Sequence, residues 1–469
     1  MAPLEPAICW QAIYSRDARF DGRFFAGATT TGLYCRNVCP VPFARPKNIV
    51  LFACAEAAEA AGFRPCKRCQ ARAAPGTPAW RGTLAVVSRA LRLILEGALN
   101  EGSVEELAER LGLGARQLRR LFSQHLGASP LKIASVQRVH LARTLIGEST
   151  VPMTEVAFRS GFQSIRDFNH ALRQSTGQSP SDLRRKAGNR RVDTVLDLRL
   201  PFKGPFAWEQ LLAFLQPRAI PGIEVVSEST YRRTIELDGT RGILLVTQTA
   251  AEPRLRVHLE LNRLDALAPI VERVRHMFDL AADPTGIAVH LSHHAELRPS
   301  IERRPGLRIP GSWDGFEVAV SAVLGQRLTK PGSVKPSPRK LMALVVRSFG
   351  TPFKTSLAPL TYLFPASRTL LEADLSRAGM TKAQAATVRE LARRTINNQL
   401  TFRASTTLDQ AVAQLTAIGG IDENVAHYIA MRAWGEPDAF PVDQLPAASA
   451  SGTWRPWRAY AAMHLTAGQ

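Results

Sequence analysis

The sequence predicts a multidomain α+β protein. Its parts are a small cysteine-bearing α/β module, an all-α module of paired helical hairpins, an antiparallel α+β module and an all-α C-terminal module. Three observations lead there. The chain has 469 residues, more than one ordinary domain holds. All six cysteines fall at or before Cys69. The apolar pattern has helical spacing after Val87, strand alternation after residue 194, and helical spacing again from Gly311. The expected segments are 6–76, 87–185, 194–310 and 311–469.

The balance of Lys+Arg 60 against Asp+Glu 40 gives a net charge of +20. The cations recur in clusters, which points to a polyanionic partner, double-stranded DNA first. The N-terminus, MAPLEPAICWQA, has no basic stretch followed by an apolar run, so no secretory signal is expected. No apolar stretch reaches the roughly 20 residues that span a bilayer, and no membrane partner is expected. The expected compartment is the bacterial cytoplasm, at the nucleoid, where thiols stay reduced and favour metal over disulfide.

Four cysteines, Cys35, Cys39, Cys66 and Cys69, have the spacing C-x3-C-x26-C-x2-C. Two short-spaced pairs joined by a connecting segment make a tetrahedral zinc site, each pair offering two thiolates from one turn. Cys9 and Cys54 fit no pair and are expected to be small buried apolar residues. The simple reading is a structural zinc. Yet a centre of four thiolates is net negative, and here it sits among Arg36, Arg45, Lys47, Arg64, Lys67 and Arg68. A metal-bound thiolate is nucleophilic without a general base. Such a sulfur beside a phosphate-binding surface is suited to taking an alkyl group from the phosphate. Alkylation removes one negative charge and weakens repulsion from DNA.

The run Arg19 to Cys69, with TTGLYCR and FRPCKRC, resembles the Ada-type zinc domain of the bacterial response to alkylation. That resemblance implies a single zinc, structural and catalytic, and a methyl acceptor at Cys35 that takes its methyl irreversibly from an Sp-methylphosphotriester. It implies phosphate contacts from Thr31 and Arg64. Arg45 and Lys47 arrive later than the basic residues usual after the second cysteine, because Cys39-Pro40-Val41-Pro42 intervenes. PCKR superficially matches the PCHR of O6-methylguanine acceptors but lies inside the zinc motif, so that second activity is not expected.

Beyond the Ala-, Pro- and Gly-rich stretch from Ala71 to Thr83, Val104, Leu107, Ala108 and Leu111 share one helical face. Ser103 and Glu106 form a capping box, and Gly112 ends the helix. Leu118, Leu121 and Phe122 make the next apolar face, opposite Arg116, Arg119 and Arg120. This is a helix-turn-helix pattern. About fifty residues later it repeats: Val156, Ala157, Gly161, then Phe168, Ala171 and Leu172, with Ser164, Arg166, Asn169, His170 and Arg173 facing outward. LARTLIGEST falls in the joining helix. Two copies at this spacing, with GxSP after the second, resemble the AraC/XylS-type DNA-binding domain. The resemblance implies two recognition helices in successive major-groove segments, beginning near Ala115 and Ser164.

In the C-terminal half, GILLVTQTA and LRVHLEL alternate as antiparallel strands do. RAIPGIE, WDGFEVAVSAVLGQRLT, GGIDENVAHYIAMRAWGEPDAFP and WRPWRAYAAMHL together resemble the AlkA-type 3-methyladenine DNA glycosylase of the helix-hairpin-helix superfamily. The resemblance implies hairpin N–H groups at Gly419, Gly420, Ile421 and Asp422 offered to a DNA phosphate, and an aromatic pocket for a flipped base in which Tyr428 remains. It also implies an aspartate that stabilises the cationic sugar. Gln444 stands at that position, in Pro441-Val442-Asp443-Gln444-Leu445, with Asp443 as a possible substitute. The family's hairpin tryptophan is Asn424 here, its terminal pocket tryptophan is Thr466, and Asp422 places a negative charge where a phosphate would approach.

Two readings stand. In one, Cys35 accepts methyl groups from DNA methylphosphotriesters and so switches on promoter binding, with RNA polymerase as a further partner, and the fused glycosylase-like domain excises alkylated purines. In the other, the protein is a DNA-binding regulator with a structural zinc and a glycosylase domain inactivated by Gln444.

Overall fold

The computed structural model describes residues 5–17, 20–69, 71, 83–148, 151–185, 194–249, 252–325, 337–355, 357–402, 408–441 and 452–466. They form two compact units, each assembled from segments distant in sequence. One holds residues 1–81, 202–229 and 273–469; the other holds 82–201 and 230–272. No described helix is long and apolar enough to cross a membrane.

In the first unit, the N-terminal segment opens with the helix Pro6–Ser15, whose Ile8, Cys9, Ala12 and Ile13 are buried. Four strands follow in the spatial order 49–52, 25–28, 33–36, 64–65. The first three pair antiparallel, and Arg64–Pro65 joins Leu33–Tyr34 in parallel. Burying Phe25 and Tyr34 makes one small core with three of the motif cysteines, Cys39, Cys66 and Cys69. A second cluster, with Ile8, Ile13, Phe20 and Phe24, lies beside the helix Pro6–Ser15.

Most of the rest of that unit is helical. The helices 284–291, 315–325, 338–349, 382–396, 408–416, 423–429 and 458–466 surround two apolar clusters. The helix Gly315–Gly325 is mostly apolar and buried from Gly315 to Val320, with Glu317 buried among its apolar residues. A two-residue ribbon, Thr351–Pro352 against Tyr362–Leu363, interrupts what the sequence predicts as all-α.

Among its described residues, the second unit carries seven helices within 83–185 and four antiparallel strands of a five-stranded sheet, in the order 194–201, 254–261, 240–248, 230–237. The hairpin between the last two strands turns on Asp238 and Gly239, both with positive φ, as a two-residue loop of this kind demands. Leu196, Leu198 and Leu200 alternate inward, so one face of the strand is buried.

Candidate metal centre and nucleic-acid interface

The cysteine centre is built by strand pairing. Cys35 lies on the strand Leu33–Arg36, opposite Ala26. A tight turn, closed by the Cys39 N–H donating to the Arg36 carbonyl (3.1 Å), returns Cys39 toward it. From the other side, the Arg64 N–H donates to Gly32 (2.8 Å) and the Cys66 N–H to Tyr34 (3.0 Å), which sets Cys66 and then Cys69 beside Cys35. All four sulfurs lie within 4.8 Å of one another. A tetrahedral zinc with bonds near 2.3 Å holds its sulfurs roughly 3.8 Å apart, so the donor set fits that ion in softness, number and span.

Left to themselves, four sulfurs this close cannot all carry charge. Hydrogen bonding to Cys39 and Cys69, followed by burial, pushes the Cys35 thiol up, whereas bonds from Cys35 and Cys69 hold Cys39 far down. A divalent cation would let all four sulfurs ionise together. Cys39, Cys66 and Cys69 are buried, and Cys35 alone of the four is half-exposed. Thr31, Arg45, Lys47, Arg64, Lys67 and Arg68 are all exposed. Arg36 instead turns to Asp21 (3.2 Å). Cys54 is not the buried residue the sequence predicts. It is exposed at the start of the helix Ala55–Ala60, because the strand Ile49–Phe52 ends just before it and the chain turns there on the surface.

The first helical hairpin has its expected capping box. The Ser103 hydroxyl accepts from the Glu106 N–H (3.1 Å), and the Glu106 carboxylate accepts from the Ser103 N–H (3.1 Å). The candidate recognition helices run Ala115–Leu126 and Ile165–Thr176, and each ends on a left-handed glycine, Gly127 or Gly177. Arg116, Arg120 and Arg166 are exposed, and Asn169 is half-buried. Arg119 is exposed but paired with Glu105 at 2.6 Å. Ser164 caps its helix, accepting from the Asp167 N–H (3.0 Å) and donating to its carboxylate (2.9 Å).

In the C-terminal half the hairpin joins the helices Leu408–Thr416 and Glu423–Ile429. Gly420 has φ +92°, and an added Cβ would come within 2.3 Å of the Thr387 hydroxyl, which itself donates to the Gly419 carbonyl (2.7 Å). Asp422 is the helix cap: its carboxylate accepts from the Val425 N–H (2.8 Å), at the positive end of that helix. The charge that the sequence sets against an approaching phosphate is therefore engaged locally.

Tyr428 is half-buried and its hydroxyl accepts from Arg432 (2.8 Å). Burial pushes its phenol up, but the guanidinium groups of Arg432 and Arg218 outweigh that and hold it below the ordinary value. Trp434 and Phe402 pack nearby in the same half with ring centres 4.9 Å apart. Asp443 and Gln444 lie outside the described residues. Two described carboxylates precede them, and both are engaged: Glu436 by Arg23, and Asp438 by Arg455 and Arg458.

Three family models match the chain: the metal binding domain of Ada over residues 8–71, a helix-turn-helix domain over 107–186, and the AlkA N-terminal domain over 197–314. A probable bifunctional transcriptional activator/DNA repair enzyme AlkA from Mycobacterium tuberculosis is 38% identical, covering 97% of this chain and 95% of that protein. The chain belongs to this family of bifunctional transcriptional activator/DNA repair enzymes. DNA-3-methyladenine glycosylase 2 of Escherichia coli is 28% identical over 57% of this chain and 95% of its own length. The bifunctional transcriptional activator/DNA repair enzyme Ada of Escherichia coli is 29% identical over 40% of this chain and 51% of its own length. The family's Ada-type and AlkA-type parts are thus both present, and four adjacent cysteines in the former suit a zinc ion.

Sequence reasoning missed Arg432 and Arg218. Arg432 stands four residues after Tyr428, a helical spacing that puts both side chains on one face, and that was the available signal. Arg218 comes from a distant segment and carried none.

Proposed function

We propose that this chain repairs alkylated DNA and reports the damage to transcription, and that Cys35 is the switch. The observation that carries this reading is the exposure pattern: of four converged thiols, only Cys35 faces solvent, on a surface bearing exposed Thr31 and Arg64. One zinc ion, structural and catalytic together, would be held by Cys35, Cys39, Cys66 and Cys69 and would keep their sulfurs as thiolates at neutral pH.

Thr31, Arg64, Arg45 and Lys47 hold the backbone of a DNA methylphosphotriester. The Cys35 sulfur attacks the methyl carbon; the S–C bond forms, the O–CH3 bond breaks, and the phosphate leaves with the electron pair as an ordinary phosphodiester. The centre has then lost one negative charge and is repelled less by DNA. The hairpins, through Arg116, Arg119, Arg120, Arg166 and Asn169, read promoter DNA, and RNA polymerase is recruited there. In the C-terminal half, Gly420 and its neighbours engage a phosphate and Tyr428 lines a pocket for an alkylated purine.

The test is incubation of the protein with methylated duplex DNA followed by peptide mass mapping. One added methyl on Cys35 is expected, and none in Cys35→Ser. Methyl transfer that persists in Cys35→Ser defeats the reading.

A further inference from the structure

The cysteine module and the C-terminal helices belong to one compact unit, and their contact is polar and buried. Asn37 lies between the ligands Cys35 and Cys39 and is fully buried. Its Nδ2 donates to the Asp17 carbonyl (2.7 Å) and the Ala12 carbonyl (3.4 Å). Asp17 is 1% exposed, and its carboxylate accepts from the Trp457 indole N–H at 3.2 Å. Trp457 is buried in the apolar cluster of the C-terminal helices. A second contact runs parallel: Arg23 forks onto Glu436 at 3.2 and 3.3 Å, with both side chains largely buried. Asp438 then ties Arg455 (2.8 Å) and Arg458 (2.8 and 3.1 Å) together. Glu436 and Trp457 therefore flank, in sequence, the stretch that contains Gln444, and each is held by the cysteine module.

A carboxylate and an amide buried at a mere tether would cost stability, since water serves them better than an apolar contact does. They suit an interface that must have one geometry. We propose that Asn37, Asp17 and Arg23 are positioning residues that couple the cysteine centre to the glycosylase half, so that metal binding at the four cysteines steadies the chain at Glu436 and Trp457. The coupling needs only that the centre holds zinc; it does not depend on Cys35 accepting methyl groups.

The test is hydrogen–deuterium exchange of the full chain, read by mass spectrometry on peptides covering 431–441 and 454–466, with zinc bound and after chelation. Loss of one buried hydrogen-bonded contact should speed local opening about tenfold. Chelation is expected to accelerate 454–466 by that factor while a peptide within 240–261 stays unchanged. Zinc-loaded Asp17→Ala should exchange fast at 454–466 already, and chelation should add little; Asp17→Asn, which keeps an oxygen for the indole N–H, should behave as wild type. Zinc content is measured in every sample, which separates a failed metal site from a failed coupling. Equal exchange at 454–466 with and without zinc, or wild-type exchange in zinc-loaded Asp17→Ala, overturns the proposal. Should Asp17→Ala not fold, Arg23→Gln carries the test at 431–441, where acceleration supports the coupling and its absence refutes it.

Discussion

The chain's two candidate reaction centres are built differently. The cysteine centre draws all its chemistry from four identical side chains that strand pairing and a tight turn bring within 4.8 Å. The glycosylase half draws on unlike parts: a glycine hairpin, a tyrosine held by two arginines, and a position just past Pro441 where the sequence has Gln444. A site made of repeated ligands is nearly all-or-none, because each thiolate is equally required to bind the ion. A site made of unlike parts can lose one and keep its shape. The two centres should therefore fail in different ways.

The largest effect should come from Cys66→Ala. Cys66 is a buried ligand, so its loss should abolish stoichiometric zinc and, with it, the folding energy the metal supplies. For structural zinc that energy is on the order of 10 kcal/mol. Metal analysis should fall from one zinc per chain to near none, and the strands around Tyr34 should lose exchange protection. Retained zinc with an unchanged melting profile would refute the four-ligand centre.

How much of each centre was legible in the sequence follows from the same contrast. Cysteine spacing could be read directly because the ligand is the residue type itself. Local signals could be read as well: Ser103 with Glu106, Gly112 at the end of that helix, and the alternation of GILLVTQTA and LRVHLEL. Contacts between residues far apart could not. Asp17 and Trp457 are 440 positions apart, and no periodicity or motif links them. The exposure of Cys54 and the capping role of Asp422 depend on where a strand ends and a helix begins, and such boundaries are the least legible feature of a sequence.

The second effect concerns Gln444. A neutral amide cannot supply the charge that steadies a cationic sugar, so release of alkylated bases by the wild type should be weak. Gln444→Asp should raise it about a hundredfold, which corresponds to roughly 3 kcal/mol of transition-state stabilisation. Abasic sites formed on methylated duplex DNA give the readout. Substantial release by wild type with no gain in the variant would mean that another group does this work, and the contrast between the two centres would shrink.

The smallest effect tests the hairpin on its own. Gly420 has φ +92°, which side chains rarely adopt, and its missing Cβ leaves room for Thr387. In Gly420→Ala the added methyl would press on the Thr387 hydroxyl, and moving that hydroxyl would break its bond to the Gly419 carbonyl. Backbone strain and a lost hydrogen bond together should cost about 2 kcal/mol. The loss should appear as a lower melting temperature for the C-terminal half and weaker duplex binding there, with zinc content and Cys35 methylation unchanged. A wild-type melting temperature in Gly420→Ala would show that the hairpin relaxes freely, and the close approach of Thr387 would then have no part in holding the turn.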